Sequence, residues 1–302
     1  MFPALFPVFL SKISSTGLAK IGRAVYSINS CLREKNNLGR GKRWCRGRAA
    51  EWRVGIMANN VKHVIAVSSG KGGVGKSFVS GMLAVALSKQ GFKVGILDAD
   101  LTGPSIPKMF GVKDGLMMDA NQNLVPPVTK GGIKLISVNF LLSDETNPVI
   151  WRGPVLGKMI KQFWENVLWE ELDYLVIDMP PGTGDVPLTV YQSIPIDGAV
   201  IVTTPQDLVK MIVAKSVNMA VKMSIPIYGL IENYSYMECP DCGKKLYPFG
   251  ESKLEEIAAD LGLGILMKLP INPEWAKLAD QGRFEKLDVE ALGVKTEVFE
   301  MA

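Results

Sequence analysis

The octapeptide Gly70-Lys71-Gly72-Gly73-Val74-Gly75-Lys76-Ser77 restricts this chain more than any other feature, because it joins the apolar run His63–Ser69 to a stretch of helical periodicity reaching about Gln90. A glycine-rich turn between a buried strand and a helix can point its backbone N–H groups inward around phosphate oxygens, and the helix N-terminus adds its dipole. Lys76 can reach the β- and γ-phosphates, and the Ser77 hydroxyl can ligate Mg²⁺. Gly70, Lys71, Gly72, Gly73, Val74, Gly75, Lys76 and Ser77 are therefore the expected nucleotide-binding residues.

Beyond this loop, short β-branched runs alternate with helical periodicity. Lys93–Asp100, Ile133–Phe140, Leu172–Met179, Gly198–Thr204, Ile225–Glu232 and Ile265–Leu269 read as strands, and most are continuously apolar. Such runs are buried on both faces, as in a parallel sheet covered by helices. Asp207–Met223 and Glu251–Leu261 have lengths suited to right-handed crossovers. The expected fold is α/β: one doubly wound, mostly parallel sheet with helices on both faces, its ligand site beyond the carboxyl ends of the strands. Residues 57–302 contain no internal repeat, low-complexity tract or Gly/Ser linker, so they form one expected P-loop domain.

Charge is uneven. Residues 1–56 carry eleven Lys/Arg and two acids, whereas 57–302 have a net charge of −5. A mildly acidic body argues against a phosphate-backbone binder, and no run approaches the roughly 18 apolar residues of a spanning helix. Neither nucleic acid nor membrane is an expected partner. The first 56 residues place Leu18, Ile21 and Val25 on one helical face with Lys20 and Arg23 opposite, which resembles a mitochondrial presequence. Met57-Ala-Asn-Asn equally reads as a bacterial start. The extension is expected to be disordered, and the location to be the bacterial cytoplasm, or the mitochondrial matrix if 1–56 is a true presequence.

Three carboxylates close apolar strands. Asp98 and Asp100 end the second strand and would project towards the phosphates, while Asp178 ends Tyr174–Asp178 in the arrangement that holds Mg²⁺ through its water. Pro180-Pro181-Gly182-Thr183-Gly184-Asp185 reads as a loop that senses the γ-phosphate. No Asn/Thr-Lys-x-Asp guanine motif occurs, which favours ATP. The single histidine, His63, opens a strand and reads as a surface residue, so Ser-His-Asp chemistry and multi-His metal sites are disfavoured.

Cys239-Pro240-Asp241-Cys242-Gly243 lets two thiolates converge on one centre within a tight turn. Two ligands are not four, and the remaining cysteines, Cys31 and Cys45, lie in the extension. A two-fold axis would bring Cys239 and Cys242 of two subunits together as four thiolates, for a bridging [4Fe–4S] cluster or for Zn²⁺. A redox dithiol would be expected to open a helix after the first strand instead.

Lys71, a second lysine at the start of the loop, resembles the deviant Walker A ATPases, relatives of MinD, ParA and the nitrogenase iron protein. That likeness implies an ATP-sandwiched homodimer in which Lys71 crosses to the partner's nucleotide, Asp100 positions the attacking water and Asp98 supports the Mg²⁺ shell. Asn233, just after the strand Ile225–Glu232, matches the position that contacts adenine in this class and is also a common turn former. Phe78 departs from the small hydroxyl residue common there and should affect helix packing.

Taken together, S-G-K-G-G-V-G-K-S, D-A-D-x-x-G-P-S-I-P, W-R-G-P (Trp151–Pro154), D-M-P-P-G-T-G-D, T-P-Q-D (Thr204–Asp207) and C-P-D-C-G resemble the Mrp/ApbC iron–sulfur cluster carriers from about Lys62 to Arg283. The resemblance implies a slow ATPase, catalytic through Lys71, Lys76 and Asp100. Such a carrier holds a labile [4Fe–4S] cluster across a homodimer and passes it to apo iron–sulfur proteins, with scaffold proteins as candidate donors. Two further readings stay open. A ParA/MinD-like positioning ATPase would need a basic dimer face or a cationic C-terminal helix, yet Asp288–Ala302 is acidic. A nitrogenase iron-protein-like electron donor would draw its cysteines from separate loops.

Overall fold

The computed structural model describes residues 60–299 apart from 101–104, 114, 120–122, 142–152 and 207–208. The expectations for 1–56, Met57, Trp151, Arg152 and Asp207 lie outside the described residues.

A seven-strand parallel ladder forms the body, in the order β10-β8-β7-β1-β6-β2-β5, with the short β9 antiparallel on the end of β8. Its strands are β1 Asn60–Ser68, β2 Val94–Asp98, β5 Lys134–Ser137, β6 Glu171–Asp178, β7 Gly198–Thr203, β8 Ile227–Glu238, β9 Lys245–Leu246 and β10 Ile265–Pro270. A separate small hairpin pairs β3 Met117–Met118 with β4 Leu124–Val125. The helices are α1 Lys76–Lys89, α2 Ile106–Met109, α3 Gly153–Asn166, α4 Asp185–Ser193, α5 Val209–Lys222, α6 Leu254–Leu261 and α7 Pro273–Asp280. The doubly wound fold expected from the apolar runs is the fold observed.

Alternate residues of the continuous runs feed two cores. Val64 and Ala66 of β1, Leu175 and Ile177 of β6, and Ala199 and Ile201 of β7 pack with Phe163 of α3, Tyr191 of α4, Val213 of α5 and Ile257 of α6. Their neighbours Ile65, Val67, Val176, Val200 and Val202 pack with α1, Phe110 and Phe284 on the other face. Helix α1 buries Val79, Met82, Leu83, Val85 and Leu87 on nearly all its sides, as its weakly amphipathic sequence requires. The central position of β1, between β6 and β7, is where connections leave in opposite directions, so its carboxyl end opens the crevice that receives ligands. No helix among the described residues is long and apolar enough to cross a membrane.

Several boundaries differ from expectation. Strand β1 begins at Asn60, so His63 lies within it rather than opening it, and β2 ends at Asp98, leaving Asp100 just beyond. Ile133–Phe140 stops as a strand at Ser137 and turns into a 3₁₀ helix, Val138–Leu141. The strand expected to end at Glu232 runs to Glu238, so Asn233 lies within β8 rather than after it. Pairing with β10 and then β9 carries this polar stretch as a strand, where hydrophobicity alone predicted its end.

Candidate functional site

The phosphate loop takes the shape its glycines permit. Gly73 and Gly75 adopt φ values of 78° and 80°, in the left-handed region. Gly75 caps α1, and a Cβ there would meet Asn233 Nδ2 at 2.1 Å; one at Gly70 would meet Ile212 Cγ2 at 2.4 Å. The Ser69 hydroxyl donates to Lys71 O at 3.0 Å, and the Gly182 N–H donates to Ser69 O at 2.9 Å, tying the Pro180–Asp185 loop to the phosphate loop.

Three carboxylates gather around one buried ammonium. Lys76 Nζ donates to Asp178 Oδ1 at 2.7 Å and lies 3.3 Å from Asp100 Oδ2. Burial pulls the Lys76 pKa down, but Asp178, Asp100 and Asp98 outweigh it and hold the ammonium above the usual lysine value. The Ser77 and Ser80 hydroxyls donate to Asp178 at 2.6 and 2.9 Å. Burial still raises the Asp178 carboxyl against the opposing pull of Lys76 and these hydroxyls. Asp98 is fully buried behind, accepting from the Asp100 N–H at 3.1 Å and the Ser137 hydroxyl at 3.0 Å. Its carboxyl is pushed well above the usual range by burial and then by the neighbouring Asp178 charge.

Lys71 is hydrogen-bonded to Gln206, in the loop after β7. Asn233, 3% exposed, donates through Nδ2 to Val74 O at 3.0 Å and accepts the Tyr234 N–H at 3.0 Å. Lys76, Ser77, Asp98, Asp100, Asp178 and Asn233 thus contact the loop or one another through the bonds described, whereas the Lys71 side chain is turned to Gln206. Ser80 and Ser137 were not singled out from sequence. Ser80 follows Ser77 by one helical turn, a spacing that could have marked it.

The cysteine pair sits where β8 turns into β9. Cys239 N–H donates to Lys244 O at 3.0 Å and Gly243 N–H to Cys239 O at 2.9 Å, closing a tight turn with Gly243 at φ 69°. Cys242 is exposed and Cys239 half-buried. The N–H groups of Asp241 and Cys242, with the Cys242 thiol, lower the Cys239 pKa and favour its thiolate. Among the described residues no group of three or more His, Cys, Asp or Glu is gathered to hold a metal, and the turn itself offers two free thiols. Lys245 covers the Tyr236 ring at 4.1 Å, and Leu246, Tyr247 and Phe249 stand exposed beside the turn. His63 stacks on Tyr174, in mid-strand, and takes no part in either arrangement.

Comparison with known proteins identifies the family. The family model described as ParA: NUBPL iron-transfer P-loop NTPase matches residues 60–300. The chain is 49% identical over 241 residues to the iron-sulfur cluster carrier protein of Clostridium perfringens, covering 78% of this chain and 84% of that one. It is 50% identical over 223 residues to the carrier of Aquifex aeolicus, covering 74% of this chain and 61% of that longer protein. Among solved structures, a nucleotide-binding protein of Archaeoglobus fulgidus in complex with ADP shares 46% identity at a TM-score of 0.68, over 75% of this chain and 88% of that one. The cell division ATPase MinD of Pyrococcus furiosus, at 20% identity and a TM-score of 0.56 over 79% and 96%, shares the fold.

Proposed function

The chain belongs to the iron-transfer P-loop NTPases, and from that premise we propose that it is an ATP-hydrolysing carrier of a [4Fe–4S] cluster. The cluster is cargo, held between the Cys239 and Cys242 pairs of two copies and passed to apo iron–sulfur proteins, with scaffold proteins as donors. One observation supports this reading above the rest: strand β8 touches the phosphate loop through Asn233 and ends against Cys239, so a nucleotide site and a thiolate half-site share one element.

At the nucleotide, the residues fit the hydrolysis of ATP. Lys76 exchanges its bond with Asp178 for oxygens of the β- and γ-phosphates. The Ser77 hydroxyl and the Asp178 carboxylate, 2.6 Å apart, are hard oxygen donors suited to Mg²⁺, with Asp98 supporting the shell from behind. When bound, that ion neutralises developing phosphate charge. Asp100, beside Lys76, orients the attacking water, and Lys71 leaves Gln206 to reach the nucleotide of the second copy. Asn233 gives up its bond to Val74 to contact the base. The loop Pro180–Asp185, tied to Ser69 through Gly182, registers the γ-phosphate.

The test is anaerobic reconstitution of the full chain and of a Cys239→Ala/Cys242→Ala double variant. About four iron and four sulfide per dimer, with brown visible absorption, are expected in the parent and lost in the variant. Zinc in place of iron, or iron retained by the variant, would overturn the cluster assignment.

A further inference from the structure

Strand β8 changes character halfway along. Tyr234 adopts φ 58°, a left-handed conformation that is an outlier for an aromatic residue. At the same place the ladder with β10 slips: Lys268 pairs with Glu232 and Pro270 with Tyr236, so Asn233, Tyr234 and Ser235 oppose the one residue Leu269. A bulge of this kind bends a strand and re-aims the residues beyond it.

Contacts on its two sides lead to different sites. Towards the phosphate loop, Asn233 bonds Val74 O, and a Cβ at Gly75 would lie 3.3 Å from the Tyr234 hydroxyl. Towards the cysteine turn, the Tyr234 ring faces Phe249 at 6.5 Å between centroids. Glu232, 1% exposed, accepts from the Ser235 hydroxyl at 2.6 Å and the Ser252 hydroxyl at 2.9 Å, and makes no ion pair among the described residues. Phe249 and Ser252 lie on the segment that returns from the cysteine turn to α6. Both limbs of the turn, Ser235–Glu238 going out and Tyr247–Ser252 coming back, are therefore fastened to one joint.

We propose that Glu232, Tyr234 and Ser252 are positioning residues that set the Cys239–Cys242 turn according to what occupies the phosphate loop. This inference rests on the nucleotide reading given above. A ligand that shifts Val74 shifts Asn233 through their hydrogen bond, and with it Tyr234, whose N–H Asn233 accepts. Tyr234, in a sparsely populated backbone conformation between the two sites, is the element that switches in this proposal.

Hydrogen exchange of the full chain, read by mass spectrometry with and without MgADP, tests this. In the parent, MgADP is expected to slow exchange in residues 70–77 and to change it about fivefold or more in 239–252. Tyr234→Gly keeps the backbone conformation without the ring, and Ser252→Ala removes one hydroxyl from Glu232. Both variants are expected to keep the response at 70–77 and lose that at 239–252, with Ser252→Thr restoring it. If Tyr234→Gly fails to fold, the Ser252 pair decides. A response at 239–252 that survives in the variants, or that is absent in a parent protected at 70–77, overturns the coupling and leaves the nucleotide reading standing. A parent unprotected at 70–77 overturns both.

Discussion

Lys76 Nζ donates to Asp178 Oδ1 at 2.7 Å with both side chains almost wholly buried, and Asp98 lies behind them as a second enclosed carboxyl. Three acids share one ammonium, so the protein holds more negative charge here than Lys76 neutralises. The excess falls on Asp98, whose carboxyl burial and Asp178 push well above 3.8. A group with a folded pKa above its unfolded one contributes stability that is fully present below the unfolded value and lost as pH rises through the folded one. Asp98→Asn is therefore expected to melt at a Tm that gains on the parent as pH climbs above 3.8 in magnesium-free buffer. A difference that stays flat or shrinks with pH would contradict the assignment.

Gly75 sits at φ 80° under the amide of Asn233, where a Cβ would come within 2.1 Å of Nδ2. Left-handed strain costs about 1–3 kcal/mol at a residue with a side chain, and a displaced Asn233 loses its bond to Val74 as well. Gly75→Ala is expected to weaken MgADP binding by about tenfold or more, measured by calorimetry. Gly264→Ala, outside the loop, is the control: a Cβ there meets nothing within 4 Å, and it should bind as the parent does.

Much of this architecture is legible in residue order, and the reasons are local. The run Tyr174–Ile177 of β6 announces itself because burial on both faces demands unbroken apolar residues, and Asp178 stands out as the acid that ends it. Asn-Tyr-Ser-Tyr after Glu232 carries no such signal. It is carried as strand by the pairing on either side of it, Glu232 and Tyr236 with β10 and Met237 and Glu238 with β9, a tertiary effect. The bond between Lys71 and Gln206 spans 135 positions, and Ser137 meets Asp98 only after β5 lies beside β2, so neither contact has a local signature. Ser80 differs from an ordinary helical serine only in facing Asp178.

Phe78 follows the phosphate loop directly yet points away from it. Its ring stacks on Trp275 at 5.6 Å and meets Phe284 edge-on at 5.1 Å, joining α1 to the C-terminal segment. Each aromatic pair is worth about 0.5–1.5 kcal/mol beyond the area it buries. Phe78→Thr is expected to destabilise the protein by about 2–4 kcal/mol in thermal or urea unfolding, with MgADP affinity unchanged. A loss of affinity without a loss of stability would place Phe78 in the site instead.

Lys71 and Asp100 belong to different nucleotides if the site is completed across a dimer. Lys71→Ala then spoils the partner's site, while Asp100→Ala spoils its own. Each variant alone is expected to lose ATP hydrolysis. After mixing and subunit exchange, half of the dimers contain one of each chain, and one of the two sites in such a dimer has an intact Asp100 facing an intact Lys71. Activity should return to about a quarter of the parent's at equal total protein, as two-fold symmetry requires. A Lys71 that acts within its own chain, from its place beside Gln206, can produce no such recovery, because neither polypeptide then carries a whole site. Phosphate release by the mixture, followed against the ratio of the two chains, should pass through a maximum at equal amounts; a flat response at the level of the single variants would exclude the shared site.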